Sequence, residues 1–226
     1  MAILITELEK AFVRDVYEKI ADDFSVTRVS IWDGVAQFLD RIPMGSTVVD
    51  LGCGNGKNIK RQDLEWYAVD QSKGFLKICE DRFKDWENPP VIKEGNIMEI
   101  PLKNKIADYL ICVATFHHLS TVEHRLMCLK EIKRVLKGGG KGLITVWARE
   151  FEKGFAWEKQ VEKQGGGQDI LIPWRGTQQK GGVQPRKEYR YYHFFKKPEI
   201  IKYIETYFII EKIWFENNNW FVEFIV

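Results

Sequence analysis

The run Asp50-Leu51-Gly52-Cys53-Gly54-Asn55-Gly56 sets three alternating glycines two residues after an acid, directly behind the apolar stretch 47–51. Glycines in such a turn let the backbone come close to a ligand with its amides turned toward it. The G-x-G-x-G spacing differs from the G-x-G-x-x-G of a dinucleotide site, and Asp50 would repel a pyrophosphate while tolerating a cation. Asp70 ends the next apolar stretch, where a carboxylate can accept both hydroxyls of a ribose. Gly95-Asn96-Ile97 follows a third, where a side-chain amide can meet an adenine amino group. A ligand that joins an adenosine to a cationic amino acid and carries no phosphate suits all three positions. S-adenosylmethionine is such a ligand, with S-adenosylhomocysteine as what remains after methyl transfer. The expected cofactor-binding set is Asp50, Gly52, Gly54, Gly56, Lys57, Asp70, Gln71, Asn96, Ile97 and Val113.

The elements that must position these residues alternate. Strands are expected at 47–51, 66–70, 91–95, 107–114 and 143–147, with helices at 72–86 and 121–136, the second stopped by Gly138-Gly139-Gly140. Such alternation argues a parallel sheet with right-handed crossovers, binding its ligand at the carboxyl ends of the strands. The ending differs: a helix over 198–207, then strands over 208–215 and 220–226 joined by Asn217-Asn218-Asn219, a hairpin signal. Two amphipathic helices precede the core. The reading is an α/β fold with a mostly parallel seven-stranded sheet closed by an antiparallel hairpin, similar to the Rossmann-like methyltransferases. One domain divides into a helical cap (1–42), a cofactor-binding core (43–150), an insertion loop after strand five (151–189) and a C-terminal helix and hairpin (190–226). The insertion holds Gly165-Gly166-Gly167 and Pro173-Trp174 and shows no period; a loop of that length is functional or disordered.

With 45% hydrophobic and 29% charged residues the composition is that of an ordinary globular chain. There is no stretch of about 20 apolar residues to span a membrane and no signal peptide. Four scattered cysteines, with no C-x-x-C, read as reduced cytosolic thiols. The formal charge of +2 hides an asymmetry: residues 175–197 carry +6 and the remainder −4. That contrast fits an anionic partner docking at one place, and equally a solvated basic loop. His117, His118 and His124 lack the carboxylate or thiolate companion a metal site needs, so no metal is expected.

Away from the glycine turn, Tyr17-Glu18-Lys19-Ile20-Ala21-Asp22-Asp23-Phe24-Ser25-Val26-Thr27-Arg28, followed by Trp32, resembles the opening of one family. These are the tRNA wobble-uridine carboxymethyl methyltransferases, class I S-adenosylmethionine-dependent enzymes that esterify 5-carboxymethyluridine at the first anticodon position. The likeness continues through Pro43-x-Gly45-Ser46, the glycine turn to Lys57, and Phe116-His117-His118-Leu119-Ser120-Thr121. It recurs in Asp169-Ile170-Leu171-Ile172-Pro173-Trp174 and Arg190-Tyr191-Tyr192-His193, and ends at Asn219-Trp220-Phe221-Val222, spanning nearly the whole chain. Asn96 stands where the family has an aspartate, and residues 178–186 are shorter than the insertions of some relatives.

The resemblance implies a heterodimer with a small zinc-binding activator subunit, the third strand lying at the sheet edge beneath it, with Val91, Ile92 and Ile97 as candidate interface. It also implies a tRNA anticodon loop as substrate and a cytoplasmic enzyme, with the nucleus as the alternative. A uridine acetate has a carboxyl pKa of about 4, so at neutral pH it needs alignment and desolvation and no general base. Arg28, His117, Arg190, Tyr191 and His193 form the expected catalytic set: arginine and histidine to hold the carboxylate, Tyr191 and Tyr192 to stack on a splayed base. Alternatives stay open from the residues alone. Arg28 also suits a helix cap, one of the paired histidines suits a structural role, adjacent tyrosines on a strand face opposite ways, and Trp32 and Trp174 suit a core. A same-fold enzyme acting on a small acid or lipid precursor, or a non-catalytic tRNA-binding subunit, would share much of this pattern.

Overall fold

The computed structural model describes residues 5–176 and 187–226; the shortened stretch 178–186 lies outside the described residues. Thr6 closes a capping box with Glu9 at the start of α1 (Glu7–Glu9). The helix passes through a π-turn (Lys10–Arg14) into α2 (Asp15–Val26), and α3 (Asp33–Asp40) follows. The core then alternates as expected through β1 (Thr47–Leu51), β2 (Glu65–Asp70), α4 (Lys73–Phe83), β3 (Val91–Glu94), β4 (Ala107–Val113), α5 (Val122–Val135) and β5 (Leu136–Trp147). After β5 come α6 (Glu158–Lys163), β6 (Asp169–Arg175), β7 (Lys187–His193), α7 (Lys197–Glu205), β8 (Ile209–Glu216) and β9 (Asn219–Ile225).

Seven strands form one sheet in the order β3-β2-β1-β4-β5-β9-β8, parallel except where β9 runs against β5 and β8. Period-two alternation divides its side chains between two cores. Val48, Ile111, Val113, Leu143 and Phe221 pack with α3 and α4, through Phe38, Leu39, Leu76 and Phe83. Val49, Leu110, Cys112, Ile144 and Val222 pack on the other face with α5 and α7, through Leu129, Ile132, Ile200 and Ile204. Because β1 is flanked by β2 on one side and β4 on the other, the chain leaves it in opposite senses. The carboxyl ends of β1 and β4 therefore part at a topological switch point, the natural place for a ligand.

Two expectations are corrected. The glycine run does not stop the helix: α5 ends at Val135, Leu136 is already extended (φ −71°, ψ 142°), and Gly138–Gly140 lie inside β5. Burial of both Val135 and Leu136 fixes that boundary, and Gly139 then takes a φ of +76° within the strand. The insertion is also not a featureless loop. It contains α6, and β6 pairs antiparallel with β7 as a separate two-stranded sheet. Pro173 hid the strand in the sequence, yet a proline is tolerated in a strand that lacks a second neighbour.

Strand β7 alternates, and this sorts its residues. Arg190 and Tyr192 face the crevice side, whereas Tyr191 and His193 turn toward α7. His193 Nδ1 lies 2.8 Å from Asp169 and Nε2 2.9 Å from Glu199, and Tyr191 Oη donates to Asp169. Burial alone would lower the His193 pKa, but hydrogen bonds that its ring nitrogens donate to the two carboxylates outweigh it and raise it. The pair pins the β6–β7 hairpin to α7. A raised histidine pKa gives stability that is full below the usual value of about 6.5 and lost as pH rises through the folded value. As pH rises from 6 to 9 the wild-type chain should therefore lose unfolding free energy. His193→Gln should lose much less over that interval in denaturant titrations; equal losses would place the titration elsewhere.

Candidate active site

The glycine turn leaves β1 at Leu51 with Gly52 at φ +75°, where a Cβ would stand 2.3 Å from the Thr115 side chain. The amides of Gly52 and Cys53 donate to the Val69 carbonyl at 2.8 and 3.0 Å, docking the turn on β2. Asp70 completes the docking: Oδ2 accepts the Gly54 amide and Oδ1 the Ser72 amide, each at 2.9 Å. Gly54 itself has a φ of +52° and would have no atom within 4 Å of a Cβ, so it borders open space. Beneath the turn, Asp50 is fully buried and neither carboxylate oxygen has a hydrogen-bond partner. Burial, then the charge of Asp70, pushes its pKa up to about 7, with Asn58 and Lys57 offsetting part of the rise.

A cavity of about 410 Å³ opens from this turn. The structure brings Gly52, Gly54, Lys57, Asp70, Gln71, Asn96, Ile97 and Val113 to its wall, together with Arg28, His117 and Arg190. Gly56 is instead packed against Phe83 and Cys79, and Asp50 lies behind the wall. Asn96 Oδ1 accepts the Met98 amide at 2.9 Å, which fixes the side chain at the cavity edge. Lys57 reaches the Ser30 carbonyl at 3.3 Å and lies over the Trp32 ring; burial, then the charge of Arg28, lowers its pKa.

The first helix roofs the cavity. Glu9 ties its start to the Ser120 amide (2.6 Å) and His124 Nδ1 (2.8 Å). Glu18 accepts the Ser72 hydroxyl at 2.7 Å and so ties α2 to the cap of α4. Between them Tyr17, which the sequence presents only as one of a helical apolar face, reaches inward. His118 Nδ1 donates to the Tyr191 carbonyl at 2.7 Å, which leaves Nε2 to accept the Tyr17 hydroxyl at 3.1 Å. Tyr17 oxygen is then free to accept the Tyr192 hydroxyl at 3.0 Å. His118 is the structural member of the pair, its pKa lowered to about 3 by burial.

His117 faces the cavity. Its Nδ1 accepts the Trp147 amide at 3.3 Å, so Nε2 carries the proton, and that buried atom has no partner. Burial, then the nearby His118 and Arg190, lowers its pKa well below the ordinary value. Arg190 lines the same cavity as the glycine turn and is only 2% exposed. Among the described residues it makes no ion pair, and its Nε is unpartnered. Four rings frame the guanidinium: Trp174 at 5.1 Å, Tyr192 at 5.3 Å, Trp157 at 5.8 Å and Phe24 at 5.9 Å. Tyr191 and His193 do not reach the cavity, a correction to the expected catalytic set, because the β7 alternation that admits Arg190 and Tyr192 turns their neighbours away. Trp147 and Trp157 line the cavity and were missed; only the density of aromatic residues after β5 signals them.

The residues fit S-adenosylmethionine. An orphaned buried carboxylate suited to a cation, Lys57 suited to the amino-acid carboxylate, an open face at Gly54 and a ribose-competent Asp70 match a cationic, phosphate-free nucleoside joined to an amino acid. The ionised form of Asp50 favours a cation, so affinity should rise as pH climbs through about 7. In the unliganded fold the same ionisation costs stability between the usual value of about 4 and the raised one. By calorimetry the dissociation constant should fall about tenfold between pH 6 and 8 in wild type and stay flat in Asp50→Asn; a flat wild-type profile would contradict this role.

Comparisons with known proteins agree with this geometry. Residues 49–144 match a family described as a methyltransferase domain. A Schizosaccharomyces pombe protein named tRNA (carboxymethyluridine(34)-5-O)-methyltransferase is 33% identical over 232 residues, covering 96% of each chain. An Arabidopsis thaliana protein of the same name is 39% identical over 147 residues, 65% of this chain and 35% of that longer one. Among solved structures, a Burkholderia thailandensis 1,6-didemethyltoxoflavin-N1-methyltransferase with bound S-adenosylhomocysteine superposes with a TM-score of 0.67 at 14% identity, covering 100% of this chain and 92% of that one. With the cofactor turn intact and a full-length relative above 30% identity, the chain belongs to the S-adenosylmethionine-dependent tRNA (carboxymethyluridine(34)-5-O)-methyltransferases.

Proposed function

We propose that Arg190 receives the carboxylate of 5-carboxymethyluridine at the tRNA wobble position, and that the chain converts that carboxylate to its methyl ester. The observation that carries this is the buried, acid-free guanidinium in the cavity it shares with the cofactor turn. An unpaired buried cation is costly, and a bidentate carboxylate both offsets that cost and fixes the orientation of the acid. A neutral acceptor would leave the charge uncompensated.

The acceptor is ionised at neutral pH and supplies its own nucleophilic oxygen. The protein therefore has to strip water from the carboxylate and hold it in line. His117 suits a donor role: with its Nδ1 engaged and Nε2 protonated, it offers a hydrogen bond and accepts no proton at ordinary pH. Tyr17, His118 and Tyr192 hold one another in a single polar chain, so Tyr192 keeps a fixed ring beside Arg190. Arg28, over the Phe24 ring at 4.9 Å, adds positive charge at the rim. When bound, S-adenosylmethionine supplies the electrophilic methyl group, held by the residues around Gly54 and Asp70.

The same reading includes a small zinc-binding activator subunit on the edge strand β3, forming a heterodimer in the cytoplasm. Its support is the edge strand β3, which among the described residues is paired on one side only and carries Val91 at 44% exposure, an edge of the kind that proteins cover. Among the described residues no helix is long and apolar enough to cross a membrane.

Transfer of labelled methyl to carboxymethyluridine-containing tRNA, as a base-labile ester, tests the function. Arg190→Ala should lower kcat/KM about 100- to 1000-fold with cofactor affinity unchanged, and Arg190→Lys should recover only part, lacking the planar fork. Full activity in Arg190→Ala would overturn the assignment. The chain expressed alone should be poorly soluble and inactive, and co-expression with the activator should restore both; a soluble, fully active lone chain would exclude the partner.

A further inference from the structure

The residues that match the general methyltransferase domain end at 144, and the far wall of the cavity lies beyond that limit. Trp147, Trp157, Arg190 and Tyr192 all come from the chain after it. The acceptor side is thus built from the chain beyond the matched general domain. On the reading that Arg190 holds the acceptor carboxylate, a single methylene separates that carboxylate from the uracil ring. The ring must then lie against one of the four rings that frame the guanidinium.

Those four are not equivalent. Trp174 and Tyr192 are buried, at 8% and 3% exposure. Phe24 is already covered by Arg28 and meets Trp174 at 5.3 Å and the edge of Tyr17 at 5.4 Å. Trp157 is half-buried and lines the cavity. It is braced from behind by Trp147 at 4.7 Å, Tyr192 at 5.3 Å and Phe155 at 5.4 Å. Its backbone is fixed as well. The Trp157 carbonyl accepts the amides of Gln160 and Val161, both at 2.9 Å, at the first turn of α6. Val161 is buried with Ile170 and Ile172 of β6, so the indole is anchored to the hairpin that also carries Arg190.

We infer that Trp157 is the platform on which the wobble uracil stacks, with Arg190 reading the carboxylate at its edge. A rigid indole suits this task because every base offers a π-face, while the carboxylate supplies the selectivity.

The test is single-turnover methylation of carboxymethyluridine-containing tRNA by the full chain co-expressed with the activator subunit, in parallel with cofactor binding, for Trp157→Ala, Trp157→Leu and Trp157→Phe. Base–aromatic stacking predicts a loss of about 10- to 100-fold in kcat/KM for the alanine and leucine variants. The phenylalanine variant should stay within about threefold of wild type, and cofactor affinity should not change in any of them. Leucine restoring activity as well as phenylalanine would show a packing role and overturn the platform alone, as would a cofactor affinity that falls in step with activity. Should Trp157→Ala not fold, the leucine–phenylalanine comparison still decides. A wild-type complex with the activator that binds cofactor but does not label this tRNA would overturn the function and the platform together.

Discussion

A guanidinium withdrawn from water without an acid beside it is a standing cost to a fold, of several kcal/mol when nothing compensates. Arg190 is in that position, and much of the cavity's far side can be understood as what keeps it there. Four aromatic rings give it partial compensation through their negative faces. The β6–β7 hairpin that carries it is locked to α7 through His193 and its two carboxylates. The Tyr17–His118–Tyr192 chain holds one of the framing rings. Compensation is still incomplete without an anion, and on the proposed reading the substrate carboxylate supplies it.

The opposite end of the cavity shows the complementary arrangement. Asp70 is satisfied by two backbone amides, whereas Asp50 has none and keeps a proton to higher pH than an ordinary aspartate. One end of the cavity thus favours a cation and the other an anion. On the proposed reading a sulfonium donor and a carboxylate acceptor share this one space, and the N-terminal helix closes over both. Glu9 and Glu18 fasten that helix to α5 and α4, so the roof is attached to the catalytic core on both sides.

Much of this was legible in the sequence because it rests on local chemistry. Gly52, Gly54 and Asp70 follow apolar runs that can only be buried parallel strands, and the Asn217–Asn219 turn between β-rich runs signals its own hairpin. What was not legible depends on register or on partners distant in sequence. Whether Tyr191 or Tyr192 faces the cavity is decided by the pairing of β7 with β6, and Pro173 disguises β6 as a loop. The end of α5 was misplaced because three glycines look like a helix stop, while burial of Leu136 against the sheet decides otherwise. Tyr17 and Trp157 look like ordinary core aromatics until the tertiary fold brings them to Arg190.

On the proposed reading the site selects its acceptor carboxylate by charge. The most direct measurement compares the affinity of the enzyme for anticodon stem-loops carrying carboxymethyluridine and its neutral, nearly isosteric carboxamidomethyl analogue. Wild type should prefer the acid by about 10- to 100-fold, and the preference should vanish in Arg190→Ala. Equal affinity of the wild-type enzyme for acid and amide would contradict the claim.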